Sequence, residues 1–372
     1  MSIKESVLDS ATKKEIIDVL SEKLKACYVY SDIAVQIVDR LKKSFDDGEY
    51  SDITDGELFA LALTLQIQEV NHDEHLWVRW HPDSLPNFEG QLRLDKGWQE
   101  QQRLKASLDN FGLYKLERLS GNIGYMDIRY FYRATWGADT INSAMNFLAG
   151  MNALIIDLRW CTGGYPDMIA LLISYFFEGP PIHLSSIYWR DEDFTQEYWT
   201  LSNISGRRFI GKPLYVLVSN ITFSAGENFA SILQTRQRAT LIGEKTDGGA
   251  HPGASYRIHS HFEAFIPVGR AFDPLTGQDL EGIGVSPNIT LPQEYAFLAA
   301  YHLALKNFLG CSNESQLEPY KVIVEEARSA FKNLHSKYKF CSSCGYQNSL
   351  FTNQCKNCGE PLPDPASYES LF

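Results

Sequence analysis

Apolar residues recur at three- and four-residue spacing through the N-terminal stretch, and this period predicts helices over residues 14–24, 31–45 and 54–70. Ile33, Ile37, Val38 and Leu41 share one side of the second. Asp52 and Asp55 stand where helix starts favour acids and caps. At Val70-Asn-His72-Asp73-Glu-His75-Leu-Trp the period drops to two and a strand begins. Residues 81–107 are polar and broken by proline, with a short helix over 97–108 leading onward. The run from Leu113 to Phe131 alternates around Ser120-Gly121-Asn122, which predicts a hairpin. Helices over 138–151 and 167–177 then alternate with a buried strand over 153–158, a further strand, and the apolar run Leu214–Val218. Such alternation predicts βαβ crossovers and a sheet covered on both faces. Strands follow over 240–244 and 262–268, then a glycine-bounded strand within Gly282-Ile-Gly-Val-Ser-Pro-Asn-Ile289. A helix over 294–309 closes the core, and a charged helix over 317–337 reads as a spacer.

These patterns divide the chain into an N-terminal helical domain (1–80), a connecting segment (81–111), an α/β core (112–310), a helical spacer (311–338), a cysteine-bearing module (339–362) and a tail (363–372). With 372 residues and 44% hydrophobic content the chain can bury at least one sizeable core. Its net charge of -12 argues against nucleic acid or an anionic membrane surface as partner, since both repel an acidic protein. The first residues are charged, without an apolar stretch, and no later run approaches the ~20 apolar residues of a spanning helix. The expectation is a soluble, cytoplasmic protein.

Three of the seven cysteines, Cys27, Cys161 and Cys311, are isolated. The other four form Cys341-Ser-Ser-Cys344 and Cys355-Lys-Asn-Cys358, the spacing of a tetrahedral four-thiolate zinc site on two tight turns. A segment this short cannot build its own core, so a structural zinc would supply most of its folding energy. This zinc ribbon is read either as a dock for a partner or a second copy of the chain, or as a folded end cap.

The chemistry concentrates on four stretches. In Val218-Ser-Asn-Ile-Thr-Phe-Ser224-Ala225-Gly-Glu227 a buried strand turns into a helix at Ser224, where free amides and the positive helix end would stabilise developing negative charge. Serine is also an ordinary N-cap. In Asp157-Leu-Arg159-Trp-Cys161-Thr-Gly163-Gly164 two glycines follow a strand and leave backbone amides unobstructed; a plain tight turn is the bland alternative. His75, with His72 beside it, leaves the helical domain. Glu281 precedes the last predicted strand. Taken singly, His75 reads as a surface or satisfied core residue and Glu281 as a solvated loop charge.

In this order, Asp-Leu-Arg-x-x-x-Gly-Gly, then Thr-Phe-Ser-Ala-Gly-Glu-Asn-Phe-Ala, then Gly243-Glu-Lys-Thr, then Glu281-Gly-x-Gly-Val-x-Pro, the motifs resemble the tail-specific (C-terminal-processing) serine peptidases, and among them the tricorn-core and interphotoreceptor retinoid-binding-protein-like branch. The resemblance spans roughly residues 10–308 and implies a crotonase/ClpP-like ββα core after a helical domain. It places the nucleophile on Ser224 and the oxyanion hole on the amides of Ala225 and Gly163 or Gly164, donors of the kind worth ~3 kcal/mol each. C-terminal-processing enzymes take their base from a lysine that this chain replaces in Gly243-Glu-Lys-Thr-Asp-Gly-Gly249. The tricorn-like branch takes a histidine from an Asp-x-His pattern, which Asp73-Glu-His75 fits, with Glu281 to orient it. Lys245 stands behind His75 as a displaced base. Cys161 replaces the family's usual asparagine, and Glu227 is expected to hold the turn rather than react.

The leading expectation is a serine-type peptidase acting on peptide or protein substrates through an acyl-enzyme, without a catalytic cofactor. The rival readings are a non-catalytic carrier of an apolar ligand or peptide, and a serine acyltransferase or cyclase acting on a small metabolite. The interval 81–111 is too short for a PDZ-like insert, so selectivity for C-terminal tails is not assumed. Assembly into a homo-oligomer stays open.

Overall fold

Helices α1 (Ser10–Cys27), α2 (Ser31–Asp46) and α3 (Gly56–Asn71) bury Leu20, Leu24, Ile37, Leu41, Phe59 and Leu63 in one shared core. This structure is a computed structural model and describes residues 8–86, 96–311 and 318–362. Asp9 and Asp55 cap α1 and α3 through their carboxylates, bonding the amides of Thr12 at 2.7 Å and Leu58 at 2.8 Å. Asp52 lies in the preceding turn.

The described chain forms two units, Met1–Arg103 with Ser185–Glu197 and Gly249–Gly282, and Leu104–Leu184 with Tyr198–Gly248 and Ile283–Phe372. These do not follow the sequence boundaries, because strand pairing joins distant segments. In the first unit β1 (Trp77–Trp80) pairs antiparallel with β10 (Phe262–Pro267), Trp77 opposite Phe265, and β10 pairs with β9 (Gly253–His259). Phe262, Ala264 and Ile266 complete the core of the three helices. A second three-stranded sheet is ordered β11 (Gly269–Phe272), β5 (His183–Trp189), β6 (Phe194–Trp199). Residues 185–197 and 249–282, read from sequence as core, therefore belong with the helical N-terminal segment.

The second unit is built on a six-stranded sheet ordered β12 (Ile289–Thr290), β8 (Thr240–Gly243), β7 (Leu214–Val218), β4 (Ala153–Asp157), β3 (Ile123–Ile128), β2 (Leu113–Leu119). All of its pairings are parallel except the β2–β3 hairpin. Both faces are covered, as the continuous apolar runs of β4 and β7 require. On one face Tyr125, Ile155, Leu217 and Ile242 meet Ala296, Ala300 and Ala304 of α8 (Gln293–Cys311). On the other, Gly124 faces Leu148 of α5 (Ala134–Leu148), so closely that a Cβ there would come within 2.7 Å of it. Helix α4 (Lys96–Leu108) precedes the sheet, and α6 (Pro166–Ile173) and α7 (Ala225–Thr235) lie within it in sequence.

Two sequence expectations need correction. The stretch 282–288 is irregular and pairs as a strand only at Ile289–Thr290, because Gly284 sits at φ 65 and Val285 is tied to Thr246 by bonds of 2.7 and 3.1 Å in place of a ladder. The helix α9 (Glu318–His335) is not a detached spacer: Ala327 and Phe331 are buried in the same core as Leu305. Beyond it β13 (Tyr338–Phe340) and β14 (Gln347–Ser349) form a small antiparallel ribbon. The tail 363–372 lies outside the described residues.

Candidate active site

Strand β7 ends at Val218 and the chain turns through Ser219-Asn-Ile-Thr222-Phe223 into α7. The turn is anchored to the end of β4: Ser219 Oγ donates to the Arg159 carbonyl at 2.6 Å, Thr222 Oγ1 to the Leu158 carbonyl at 2.8 Å, and Phe223 N–H to the Cys161 carbonyl at 3.0 Å. Asp157 accepts three bonds from Arg159, whose side chain also reaches the Gln293 carbonyl at 2.8 Å. The Asp-Leu-Arg motif thus fixes the strand ends on which the turn rests.

Ser224 occupies the N-cap of α7 at φ 52, ψ -117, a left-handed conformation that costs a non-glycine residue roughly 1–3 kcal/mol and clusters at functional sites. Gly163 lies against it: a Cβ there would stand 2.9 Å from Ser224 Cβ. Gly163 and Gly164 adopt φ 115 and 136, open only to glycine. The loop is held by Phe131 N–H to the Gly163 carbonyl, 2.8 Å, and Tyr165 N–H to the Phe131 carbonyl, 2.7 Å, bonds that do not engage the Gly163 and Gly164 amides. Those amides, with that of Ala225 in the first turn of α7, are of the type that holds an oxyanion. Cys161 is fully buried beneath the loop, and burial pushes its thiol up to about 12, so it is no competing nucleophile.

The sequence-predicted partners lie in the other unit. His72 ends α3 at φ 55 and is exposed, whereas Asp73 is buried and accepts the His75 N–H at 3.1 Å. This turn carries His75 to 3.8 Å from Glu281, Nδ1 to Oε2, with both side chains about one-tenth exposed. Lys245, the alternative base, is exposed.

Sequence reasoning missed His251, in Gly248-Gly-Ala-His-Pro. Its ring is 2% exposed, with Nδ1 2.9 Å from Asp73 Oδ2 and 3.3 Å from Glu281 Oε2, and Nε2 3.3 Å from Asp279 Oδ2. Burial alone disfavours the imidazolium, but the bonds to Asp279 and Asp73 and the charges of Asp73 and Glu281 outweigh it and raise its pKa to about 10. Only the histidine itself marks this position in the sequence, since its partners lie far along the chain.

The two cysteine pairs meet at the C-terminal ribbon, with the four Sγ atoms within 4.8 Å of one another. Cys341 Sγ stands 3.5 Å from Cys358 Sγ, and Cys344 Sγ 3.6 Å from Cys355 Sγ. Each pair turns back on a glycine, Gly345 at φ 68 and Gly359 at φ 78, whose amides donate 2.9 Å bonds to the carbonyls of Cys341 and Cys355. Four convergent thiols on matched turns fit a tetrahedral metal.

Residues 122–291 match the model of "Peptidase family S41", and residues 8–96 that of the "N-terminal domain of Peptidase_S41 in eukaryotic IRBP"; together they take in well over half of the chain. Among curated relatives, the chain is 27% identical over 180 residues to the carboxyl-terminal-processing peptidase 1, chloroplastic, of Arabidopsis thaliana (47% of this chain, 35% of that one). It is 32% identical over 144 residues to the carboxyl-terminal-processing protease of Synechocystis (39% and 32%). The chain spans about a third of the length of these relatives. Its fold is similar to a crystal structure from Parabacteroides merdae (19% identity, 79% of this chain and 96% of that one, TM-score 0.55) and to mature CPAF complexed with lactacystin (12%, 86% and 99%, TM-score 0.52). The chain belongs to peptidase family S41.

Proposed function

We propose that the chain hydrolyses peptide bonds through an acyl-enzyme on Ser224. Ser224 Oγ attacks the scissile carbonyl carbon as His75 Nε2 takes its proton; the amides of Ala225 and of Gly163 or Gly164 hold the oxyanion. His75 then returns the proton to the amine as the C–N bond breaks, and water releases the acyl group with His75 again as base. Glu281 fixes the Nδ1–H tautomer and stabilises the imidazolium. The observation that carries this reading is the strained Ser224 elbow at the start of α7, packed against Gly163, whose backbone a side chain would displace. The His75–Glu281 approach supports the assignment of base and orienter. The same reading takes the six-stranded sheet with its helices as a crotonase/ClpP-like core.

Turnover of a quenched-fluorescence peptide library tests the reading: Ser224→Ala and His75→Ala are expected to lose roughly 10⁴-fold or more in kcat/KM. Full activity in either variant refutes the assignment, and a wild-type chain that only retains peptide or apolar ligand supports a carrier instead. For the ribbon, the four-thiolate donor set supports a structural zinc held by Cys341, Cys344, Cys355 and Cys358, which would crosslink the two turns.

A further inference from the structure

Two residues flank His75: Asp73, which accepts its backbone N–H, and Glu281, which approaches its ring. Both are also partners of one buried side chain. His251 Nδ1 points at Asp73 and Glu281, and its Nε2 at Asp279. The adjacent Ala250 N–H donates to the same Glu281 oxygen at 2.6 Å. The other groups facing this ring are the phenols of Tyr28, 2.9 Å from Asp73, and Tyr30, 3.3 Å from Asp279, while the charge of Arg270 acts on Asp279 and Tyr30. Tyr28 and Tyr30 stay neutral, since burial and the nearby carboxylates raise both phenols.

We propose that His251 is a positioning residue, a fixed buried cation that orients Glu281 and offsets the Asp73 and Glu281 charges so that His75 rests as a neutral base. This rests on the peptidase reading above. Two carboxylates beside one imidazole, Asp73 and Glu281, would otherwise favour its protonated form, which cannot accept the serine proton. A ring held between carboxylates on both nitrogens is protonated at each and offers no lone pair to a metal. The raised pKa of His251 agrees with this geometry.

The test compares full-length wild type, His251→Gln, and the double variant His251→Gln/Asp73→Asn, which removes one anion along with the cation. The rate of covalent labelling by a fluorophosphonate is followed against pH. His251→Gln is expected to move the acid limb up by about one pH unit, so that labelling falls about tenfold below the limb and recovers on the alkaline plateau. The double variant is expected to return the limb toward wild type. A rate that falls equally at every pH, or a double variant worse than the single, means a purely structural role and overturns the proposal.

Nitrogen-15 histidine spectra of the same proteins decide the question without turnover. In wild type at pH 8, His251 is expected to carry protons on both ring nitrogens, and the titration of His75 is expected to rise in His251→Gln. A neutral His251 at pH 8 overturns the inference even if the variant does not fold. Wild-type protein that never labels, while His251 remains an imidazolium and shifts His75, refutes the peptidase reading and leaves the electrostatic coupling standing.

Discussion

One carboxylate oxygen of Glu227 accepts the backbone N–H of Ser224 at 2.9 Å, while the other accepts Thr246 Oγ1 at 2.5 Å and Gly248 N–H at 2.8 Å. Glu227 is fully buried, so a single side chain ties the start of α7 to the loop after β8. Glu227→Ala leaves three donors without this acceptor and is expected to destabilise the protein by about 3 kcal/mol. Denaturant unfolding measures this, and serine labelling should slow beyond what the unfolded fraction explains. A stable variant with unchanged labelling would mean that Ser224 is held by its own backbone alone.

Neighbouring glycines in the loop separate site from fold. A Cβ on Gly163 would press on Ser224 Cβ at 2.9 Å, whereas one on Gly164 would stand 2.2 Å from the Phe131 carbonyl oxygen. Gly163→Ala is therefore expected to lose about 10²-fold or more in acylation rate with a modest loss of stability. Gly164→Ala is expected to lose several kcal/mol and fold poorly, because a backbone atom cannot step aside. Melting temperature and labelling rate measured together check the contrast.

The ribbon rests on α8 through the Tyr346–Tyr295 ring pair, 4.8 Å between centroids, and on the strand before it through Asn357 Nδ2 to the Thr290 carbonyl at 2.9 Å. Metal analysis of the full chain is expected to return one zinc, and Cys344→Ser/Cys355→Ser none. Chelation should open the segment 338–362 to protease while leaving the sheet of the second unit folded. Thiols that react freely in the untreated protein would contradict the zinc site.

Acid should weaken the same end of the molecule. His302 stacks parallel on Phe340 at 4.4 Å and packs near Phe331 and His335. Burial, with the charges of His335 and Lys306, lowers it to about 3; burial and Lys306 lower His335 to about 4. The unfolded chain binds protons on both near pH 6.5 while the folded chain resists, so their contribution is complete above pH 6.5 and is lost as pH falls toward those values. At pH 4.5 His302 alone should cost roughly 2–3 kcal/mol. His302→Phe should flatten this acid limb in a series of urea melts, and an unchanged limb would place the loss elsewhere.

The local grammar of the chain was readable: Leu214–Val218 forms a strand with the predicted bounds, Ser224 caps the helix after it, and both cysteine pairs turn on their glycines. Partnership was not. Nothing in the pattern of Phe262–Pro267 says that it pairs with Trp77–Trp80, nearly two hundred residues earlier, so the helical segment's share of the later chain stayed hidden. His251 was invisible for the same reason, since its three carboxylates come from positions 73, 279 and 281. The irregular stretch after Glu281 kept a strand-like sequence because the bond that overrides it comes from Thr246.

The most direct measurement of the central claim is mass spectrometry of the full-length chain after fluorophosphonate treatment at neutral pH. The account predicts one adduct per chain, on the tryptic peptide at Ser224, absent in Ser224→Ala and strongly slowed in His75→Ala. A folded wild-type chain that takes up no adduct, or takes it up on another residue, contradicts it.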